Sequence, residues 1–120
     1  MKPESKFWQE VKKSTPNIRW TRLENLSSFG TPDVFGYNKN GVFFTVELKV
    51  AVRNKVRFSP HQIAFHVLHP KNSFILVKSL ASSSSRLYEG KKILELDARG
   101  LSLDACCLEL EPIYRHFQKL

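Results

Sequence analysis

The stretch that decides the fold is TPDVFGYNKNGVFFTVELK, residues 31–49. Within it, Val34–Tyr37 predicts a short strand and Val42–Val50 a longer, mostly buried one, because both are rich in β-branched and aromatic residues. Asn38–Gly41 predicts a tight turn between them, since Asn and Gly tolerate positive φ. The stretch is therefore predicted to form a β-hairpin.

The charged residues of this hairpin are predicted to meet at one place. Glu47 and Lys49 share one face of the second strand, with Leu48 on the other, because side chains alternate along a strand. The hairpin also folds Asp33 back toward Glu47. Mg²⁺ binds proteins through one or two carboxylates and keeps several waters. Two carboxylates and an ammonium group therefore predict a site for a hard divalent cation.

The same residues form a motif. Pro32-Asp33, followed by Glu47-Leu48-Lys49, resembles the motif of the PD-(D/E)XK nuclease superfamily, in its Holliday-junction-resolvase-like and VRR-NUC-like branches. That superfamily carries its motif across a hairpin, which is where the sequence predicts it here. The resemblance implies a metal-dependent enzyme that hydrolyses phosphodiester bonds.

The resemblance also implies a role for each motif residue. Asp33 and Glu47 would bind Mg²⁺ or Mn²⁺, together with the backbone carbonyl of Leu48. Lys49 would hold or activate the attacking water and offset the charge of the phosphate. With its flanks, the likeness covers about Phe7 to Lys78.

An opening helix is predicted over Pro3–Lys13, with Phe7 and Val11 facing the core at a spacing of one helical turn. In the family, an acidic residue of this helix often points at the metal site. Glu10 matches it, at the edge of the predicted buried stripe, and Glu4 is the alternative.

A second helix is predicted from Ser59, an N-cap residue followed by proline, to Leu68. Its predicted apolar face consists of Ile63, Ala64, Val67 and Leu68. Gln62 matches a glutamine that the family places beside the metal-bound water. Because zinc would need ligands beyond His66 and His69, we expect these histidines to face solvent or to touch phosphate.

The remaining segments complete a mixed sheet. Strands are predicted over Ile18–Leu26, Ser73–Lys78, Leu87–Tyr88 and Lys92–Leu96, a loop over residues 27–32, and a mobile serine-rich loop over Leu80–Arg86. The tail is predicted to be helical, with an interruption at Pro112. The expected fold is α/β, a central sheet of about four or five strands flanked by helices on both sides, as in a restriction-endonuclease-like core.

Composition and charge favour a polyanionic partner. With 120 residues, 42% of them hydrophobic, the chain is expected to form one domain over residues 1–120. Its net charge of +8 favours nucleic acid. Arg53, Lys55 and Arg57 directly follow the motif strand and are expected to contact phosphates.

The sequence also bears on the compartment. No apolar run approaches the ~18 residues of a membrane span, and the N-terminus lacks the core of a signal peptide. The two cysteines, Cys106 and Cys107, are adjacent, which disfavours a disulfide between them and fits two small buried side chains. An intracellular, cytoplasmic setting in a prokaryotic or phage-infected cell is expected, without a membrane partner.

The expected function is a Mg²⁺-dependent DNA endonuclease selective for branched DNA, most similar to a Holliday junction resolvase. The alternatives are a VRR-NUC-like repair or nicking nuclease, a DNA-binding module that keeps the fold without turnover, and a basic architectural protein. The resemblance to resolvases implies a homodimer. Ile113, Tyr114 and Phe117 of the closing helix are candidates for its interface or, equally, for the core of the subunit.

Overall fold

The hairpin forms the second and third strands of a six-stranded mixed sheet whose spatial order follows the chain. The computed structural model describes residues 2–23 and 32–120. The strands are β1 (Arg19–Arg22), β2 (Val34–Tyr37), β3 (Phe43–Ala51), β4 (Ser73–Ser79), β5 (Ser84–Glu89) and β6 (Cys107–Leu108). Neighbours pair antiparallel except β3 and β4, which are parallel. That parallel pair requires a crossover, which a helix supplies.

Helices cover both faces of the sheet, which confirms the predicted α/β class. They are α1 (Pro3–Ser14), α2 (Pro60–Leu68), α3 (Ile93–Arg99) and α4 (Leu110–Gln118). One core cluster joins α1 and α4 to the sheet, through residues such as Phe7, Val46, Leu48 and Phe117. The second lies on the opposite face and joins α2 and α3 to β3, β4 and β5. The parallel β3–β4 pair is therefore buried on both sides, as its continuous apolar sequence requires.

Asn38 fastens the hairpin turn to the rest of the protein. Its side-chain oxygen accepts hydrogen bonds from the backbone N–H groups of Asn40 (2.9 Å) and Val42 (3.0 Å). Its amide nitrogen donates to the carbonyl of Phe117 in α4 at 2.8 Å. Gly41 adopts a φ of 75°, the left-handed conformation that glycine tolerates best. The predicted turn is confirmed, and it also anchors the last helix.

The first strand is shorter than predicted. It comprises Arg19–Arg22, and its ladder continues through a hydrogen bond from the Leu23 N–H to the Asp33 carbonyl (2.9 Å). Residues 24–26 of the predicted strand and residues 27–31 of the predicted loop lie outside the described residues. Gly36 in β2 permits close packing, because a Cβ there would lie 2.6 Å from the Phe44 ring.

Two predictions for the C-terminal half are wrong. The strand predicted over Lys92–Leu96 is not found, and Ile93–Arg99 is helical instead, because Ile93 and Leu96 are buried at helical spacing. The serine-rich segment is a tight turn leading into β5 at Ser84, so it is not a long loop. There, the Ser82 hydroxyl hydrogen-bonds those of Ser79 (3.0 Å) and Ser84 (2.7 Å).

The closing helix is continuous and belongs to the core. Pro112 lies in its first turn, where a missing N–H breaks no helical hydrogen bond, so the expected interruption does not occur. Ile113 and Phe117 are buried and Tyr114 is partly buried in the core cluster with α1. Ile113 and Phe117 are therefore not available for a subunit interface.

Two further observations concern the surface. Cys106 is exposed and Cys107 is partly exposed, both with unpaired thiols, so the prediction that both are buried is wrong. Of the helices in the described part of the chain, none has the length and apolar character needed to cross a membrane.

Asn38→Ala should lower the free energy of unfolding by about 2–3 kcal/mol, because it removes the side-chain hydrogen bonds of the turn and leaves the buried Phe117 carbonyl without this donor. Chemical denaturation would measure the difference. Lys39→Ala, at an exposed position of the same turn, is the matched control and should change stability by less than about 0.5 kcal/mol. Equal stability of both variants would contradict the anchoring role.

Candidate active site

Asp33 and Glu47 meet where β2 ends and β3 continues. Val34 pairs with Val46 at the end of the β2 ladder, which places Asp33 opposite Glu47. One oxygen of the Asp33 carboxylate accepts a hydrogen bond from the backbone N–H of Leu48 at 2.7 Å. The Asp33 carboxylate therefore accepts the hydrogen bond that a backbone carbonyl of a neighbouring strand would accept from β3. The predicted convergence of the two carboxyl groups is found in the structure.

Burial makes this pair unusual. Glu47 is only 2% exposed. Its desolvation, reinforced by a hydrogen bond to Asp33 and by the charge of Asp33, raises the pKa of Glu47 to about 10, against the opposing effect of Lys49. In the metal-free protein at neutral pH, Glu47 is therefore protonated. A cation between the two groups would relieve their repulsion and displace that proton.

Gln62 links the helix cap to the two charged residues of β3. Its side-chain oxygen accepts from the Ser59 backbone N–H (3.0 Å), which completes a capping box, and from the Lys49 ammonium (3.1 Å). Its amide nitrogen donates to Glu47 at 3.2 Å. The Lys49 ammonium also lies 5.2 Å from the centre of the Phe58 ring. The start of α2 therefore fixes the orientation of both Glu47 and Lys49.

His66 also belongs to this cluster, contrary to the sequence prediction. It is completely buried, with Nε2 lying 3.9 Å from Glu47 Oε1 and Nδ1 lying 2.7 Å from the Ser73 hydroxyl. Burial, followed by the charges of His69 and Lys49, lowers the pKa of His66 to about 4, so the ring is neutral. Gly90 makes room for it, since a Cβ there would lie 2.5 Å from Nδ1.

A signal for His66 was present in the sequence. Residues four apart lie on the same face of a helix, so a Gln62 that faces the site brings His66 with it. Two residues of the predicted apolar face of α2 are exposed in the structure, Val67 at 51% and Leu68 at 74%. His69 does face solvent, and its ring stacks on Phe65 with centroids 4.3 Å apart.

The structure does not bring Glu10 to the site. Its carboxylate lies 3.3 Å from the Lys78 ammonium and is paired there. Glu4, six residues earlier, is the carboxylate of α1 that lines the cleft beside Lys49. Partial burial, followed by the charge of Asp33, raises the pKa of Glu4, while Lys49 and Arg22 act in the opposite direction. The alternative assignment is therefore the one that the geometry supports.

A basic cleft opens beside the carboxyl pair. Its volume is about 680 Å³, and its lining includes Glu4, Lys49, Arg53, Lys55 and Arg57. The three residues of the predicted basic loop are all exposed. They surround the end of β3 that carries Lys49, so an anion in the cleft would lie within reach of the cluster.

The donor set fits a hard cation. Asp33 and Glu47 contribute carboxylate oxygens, and Glu47 Oε1 is buried without a hydrogen-bond partner in the described structure. The N–H and C=O of one strand residue point to the same edge, so the Leu48 carbonyl is expected on the Asp33 side. Across residues 2–23 and 32–120, no group of three or more His, Cys, Asp or Glu side chains could hold a metal ion. Two carboxylates and waters are nevertheless a usual Mg²⁺ environment.

The sequence matches no model of a known protein family, and no relative is found among curated proteins.

The carboxyl pair should make the metal-free protein less stable as pH rises. Because the pKa of Glu47 is raised from 4.5 to about 10, the folded state holds one proton more than the unfolded state between these values. The free energy of unfolding should therefore fall across this window, by up to about 1.4 kcal/mol per pH unit. Thermal unfolding in EDTA from pH 5 to 9 would measure it.

Glu47→Gln should flatten this pH dependence and raise stability at neutral pH. Glu111→Gln, which removes an exposed carboxylate, is the control and should keep the wild-type slope. Identical slopes for wild type and Glu47→Gln would show that the Glu47 proton is not retained on folding.

Proposed function

We propose that this protein is a Mg²⁺-dependent DNA endonuclease. The observation that carries the proposal is that two facing carboxyl groups, Asp33 and Glu47, lie next to Lys49, which lines a basic cleft. The cleft accounts for binding of a phosphate backbone, and the carboxyl pair accounts for binding of a hard cation. The resemblance of the same residues to the PD-(D/E)XK motif supports this interpretation.

The carboxylates would hold the ion. Asp33 and Glu47, with the Leu48 carbonyl, would ligate Mg²⁺ or Mn²⁺, and such a bound ion supplies an activated water and neutralises phosphate charge. The Leu48 N–H keeps Asp33 in position through its hydrogen bond. Gln62 does the same for Glu47 from the opposite side.

Lys49 would act on the attacking water and the phosphate. Its ammonium donates one hydrogen bond to Gln62, which leaves two protons for other acceptors. It lines the cleft, so a phosphodiester there would lie against a fixed positive charge. Glu4, on the facing helix, can accept a proton from a water in the same cleft.

The proposal extends to branched DNA as substrate. All four helices pack on the sheet in the two core clusters, so in the described part of the chain none projects as a recognition helix. Selectivity would then come from backbone shape, which suits a junction or a flap. A homodimer stays a prediction from the resemblance, with an interface other than buried Ile113 and Phe117.

Asp33→Asn and Glu47→Gln should each reduce Mg²⁺-dependent cleavage by at least about a hundredfold, because each removes a ligand charge from a site with only two carboxylates. DNA binding in EDTA should persist in both variants. Asp33→Asn should also tighten it, because it removes a negative charge near the phosphate, whereas Glu47→Gln replaces a carboxyl group that is already neutral without metal. The assay uses linear, nicked, flapped and four-way DNA with and without Mg²⁺. Glu10→Gln is the matched control, because its carboxylate pairs with Lys78 outside the cluster.

Three results would contradict the proposal, each in a different part. Metal-dependent cutting that survives both substitutions would place the active site elsewhere. Tight DNA binding by the wild-type protein without any cutting would favour the non-catalytic binding module. Cutting of nicked or flapped duplex with no preference for four-way DNA would favour the VRR-NUC-like alternative.

Neutralising the basic loop should weaken binding without changing sequence preference. Arg53→Gln, Lys55→Gln and Arg57→Gln should each make the dependence of log K on log salt shallower, by up to about one unit for each phosphate interaction that is removed. Fluorescence anisotropy against two unrelated duplexes, over a salt series, measures both properties. Lys91→Gln, at an exposed ion pair with Glu89, is the control. An unchanged salt slope would show that these residues do not contact phosphates.

A further inference from the structure

One half of a sheet face carries aromatic side chains, and none of the helices in residues 2–23 and 32–120 packs over it. Phe35 and Tyr37 of β2 point to the same side as Phe43 of β3, because Tyr37 is paired directly with Phe43 and side chains alternate along each strand. The core cluster on this side draws its residues from β3, β4, β5 and the helices, and none from β1 or β2. We call Phe35, Tyr37 and Phe43 the aromatic face.

The rings form one continuous surface. The centroids of Tyr37 and Phe43 lie 4.5 Å apart, and those of Phe35 and Phe43 lie 5.7 Å apart. Phe43, at the centre, is 59% exposed, and Tyr37 is 37% exposed. An exposed phenylalanine between two other rings has no stabilising role in a core, so its position suggests a contact with a ligand.

Positive charge lies on both sides of this surface. Arg19 of β1 is paired with Tyr37 and lines one groove of the face, and Lys71 lines the groove on the other side of Phe43. Within the described ranges, neither groove is lined by an acidic side chain. Aromatic rings between cations are the arrangement by which proteins bind unpaired nucleotides, with bases on the rings and phosphates on the charges.

The aromatic face lies on the same side of β3 as Glu47 of the candidate active site. Phe43 and Glu47 lie on the same side of β3, about 13 Å apart at about 3.3 Å per residue. This distance corresponds to about four stacked nucleotides at ~3.4 Å each. A segment of about four nucleotides therefore has the length that separates the carboxyl pair from Phe43.

We infer that the aromatic face binds unpaired bases of DNA next to the phosphodiester bond that is cut. This inference rests on the proposed nuclease function for the identity of the ligand, and it adds the substrate feature that the enzyme engages, an unpaired segment at a flap or branch point. Stacking tolerates any base, so the contact selects for strand structure and not for sequence.

A second copy of the chain fits this surface less well. The three rings together expose less than about 300 Å², given 150–250 Å² for an aromatic side chain, whereas a stable interface needs about 800 Å² from each partner. A two-fold contact would also bring Arg19 and Lys71 near the same two cations of the other copy, in a protein of net charge +8. The charges favour a polyanion.

The test measures binding in EDTA, where no cutting occurs. Phe43→Ala should weaken binding of a short fluorescein-labelled oligothymidylate by about five- to a hundredfold, and that of a blunt duplex of equal length by less than about twofold. Phe43→Trp, which keeps a stacking ring, should bind the oligonucleotide at least as tightly as the wild type. Leu94→Ala, at another exposed apolar position (61%), is the control for reduced surface hydrophobicity.

Three outcomes of this test would overturn the inference. Unchanged oligothymidylate binding by Phe43→Ala, equal weakening for single strand and duplex, or no binding of oligothymidylate by the wild type would each do so. A wild-type dimer that Phe43→Ala converts to a monomer by light scattering would assign the face to a subunit interface.

The two proposals fail separately. If the wild type cuts DNA with Mg²⁺ and Phe43→Ala binds and cuts DNA equally well, the nuclease function is supported and the role of the aromatic face is rejected. If Phe43 is needed for binding unpaired DNA but the wild type cuts no DNA, base binding by the aromatic face is supported and the nuclease function is rejected.

Discussion

The hydrogen bond from the Leu48 N–H to the Asp33 carboxylate joins the fold to the candidate site. Strand β2 begins at Val34 and pairs with β3 only as far as Val46, whereas β3 continues to Ala51, so β3 needs a new partner on that edge. Asp33 supplies it with a side chain in place of a backbone carbonyl. The same contact brings Asp33 opposite Glu47, whose carboxyl is buried because β3 lies between two core clusters. The same hydrogen bond thus extends the pairing of β3 and holds the two carboxyl groups close together.

The proximity of Asp33 and Glu47 destabilises the metal-free protein, and neighbouring side chains of α2 contact Glu47. A buried carboxyl beside a carboxylate is unfavourable unless a proton or a cation separates them. Gln62 partly offsets the cost by donating to Glu47, and it does so while capping α2. His66 closes the other side as a neutral ring held by Ser73. The residues that stabilise the start of α2 are therefore also those that orient Glu47 and Lys49.

Two surfaces extend outward from this point. The basic cleft lies at the end of β3 that carries Lys49, and the aromatic face lies toward the end that carries Phe43. The aromatic face is on the side of the sheet that bears Glu47, whereas the cleft is lined both by Lys49 of that side and by Glu4 of α1. Under the proposed function, a nucleic-acid strand that runs along β3 would meet positive charge at one end and stacking rings at the other.

The sequence by itself determined the local geometry. Asn-Gly chemistry specified the hairpin, strand alternation put Glu47 and Lys49 on one side, and the Ser-Pro pair specified where α2 begins. These features depend on neighbours within a few residues, so pattern and propensity suffice to predict them. The meeting of Asp33 with Glu47 followed because the hairpin turn sets the register of its two strands.

Only the tertiary structure decided which helix side chains reach the site. The rotation of α1 and α2 about their axes depends on how they pack on the sheet, and this placed Glu4 at the cleft, left Glu10 with Lys78, and buried His66. Ile93–Arg99 is helical for a related reason: a short apolar segment suits strand or helix equally, and its packing against β5 and α2 selects the helix. Local sequence determines the secondary structure of a segment and which residues share a face. What each face packs against depends on contacts between segments far apart in the chain.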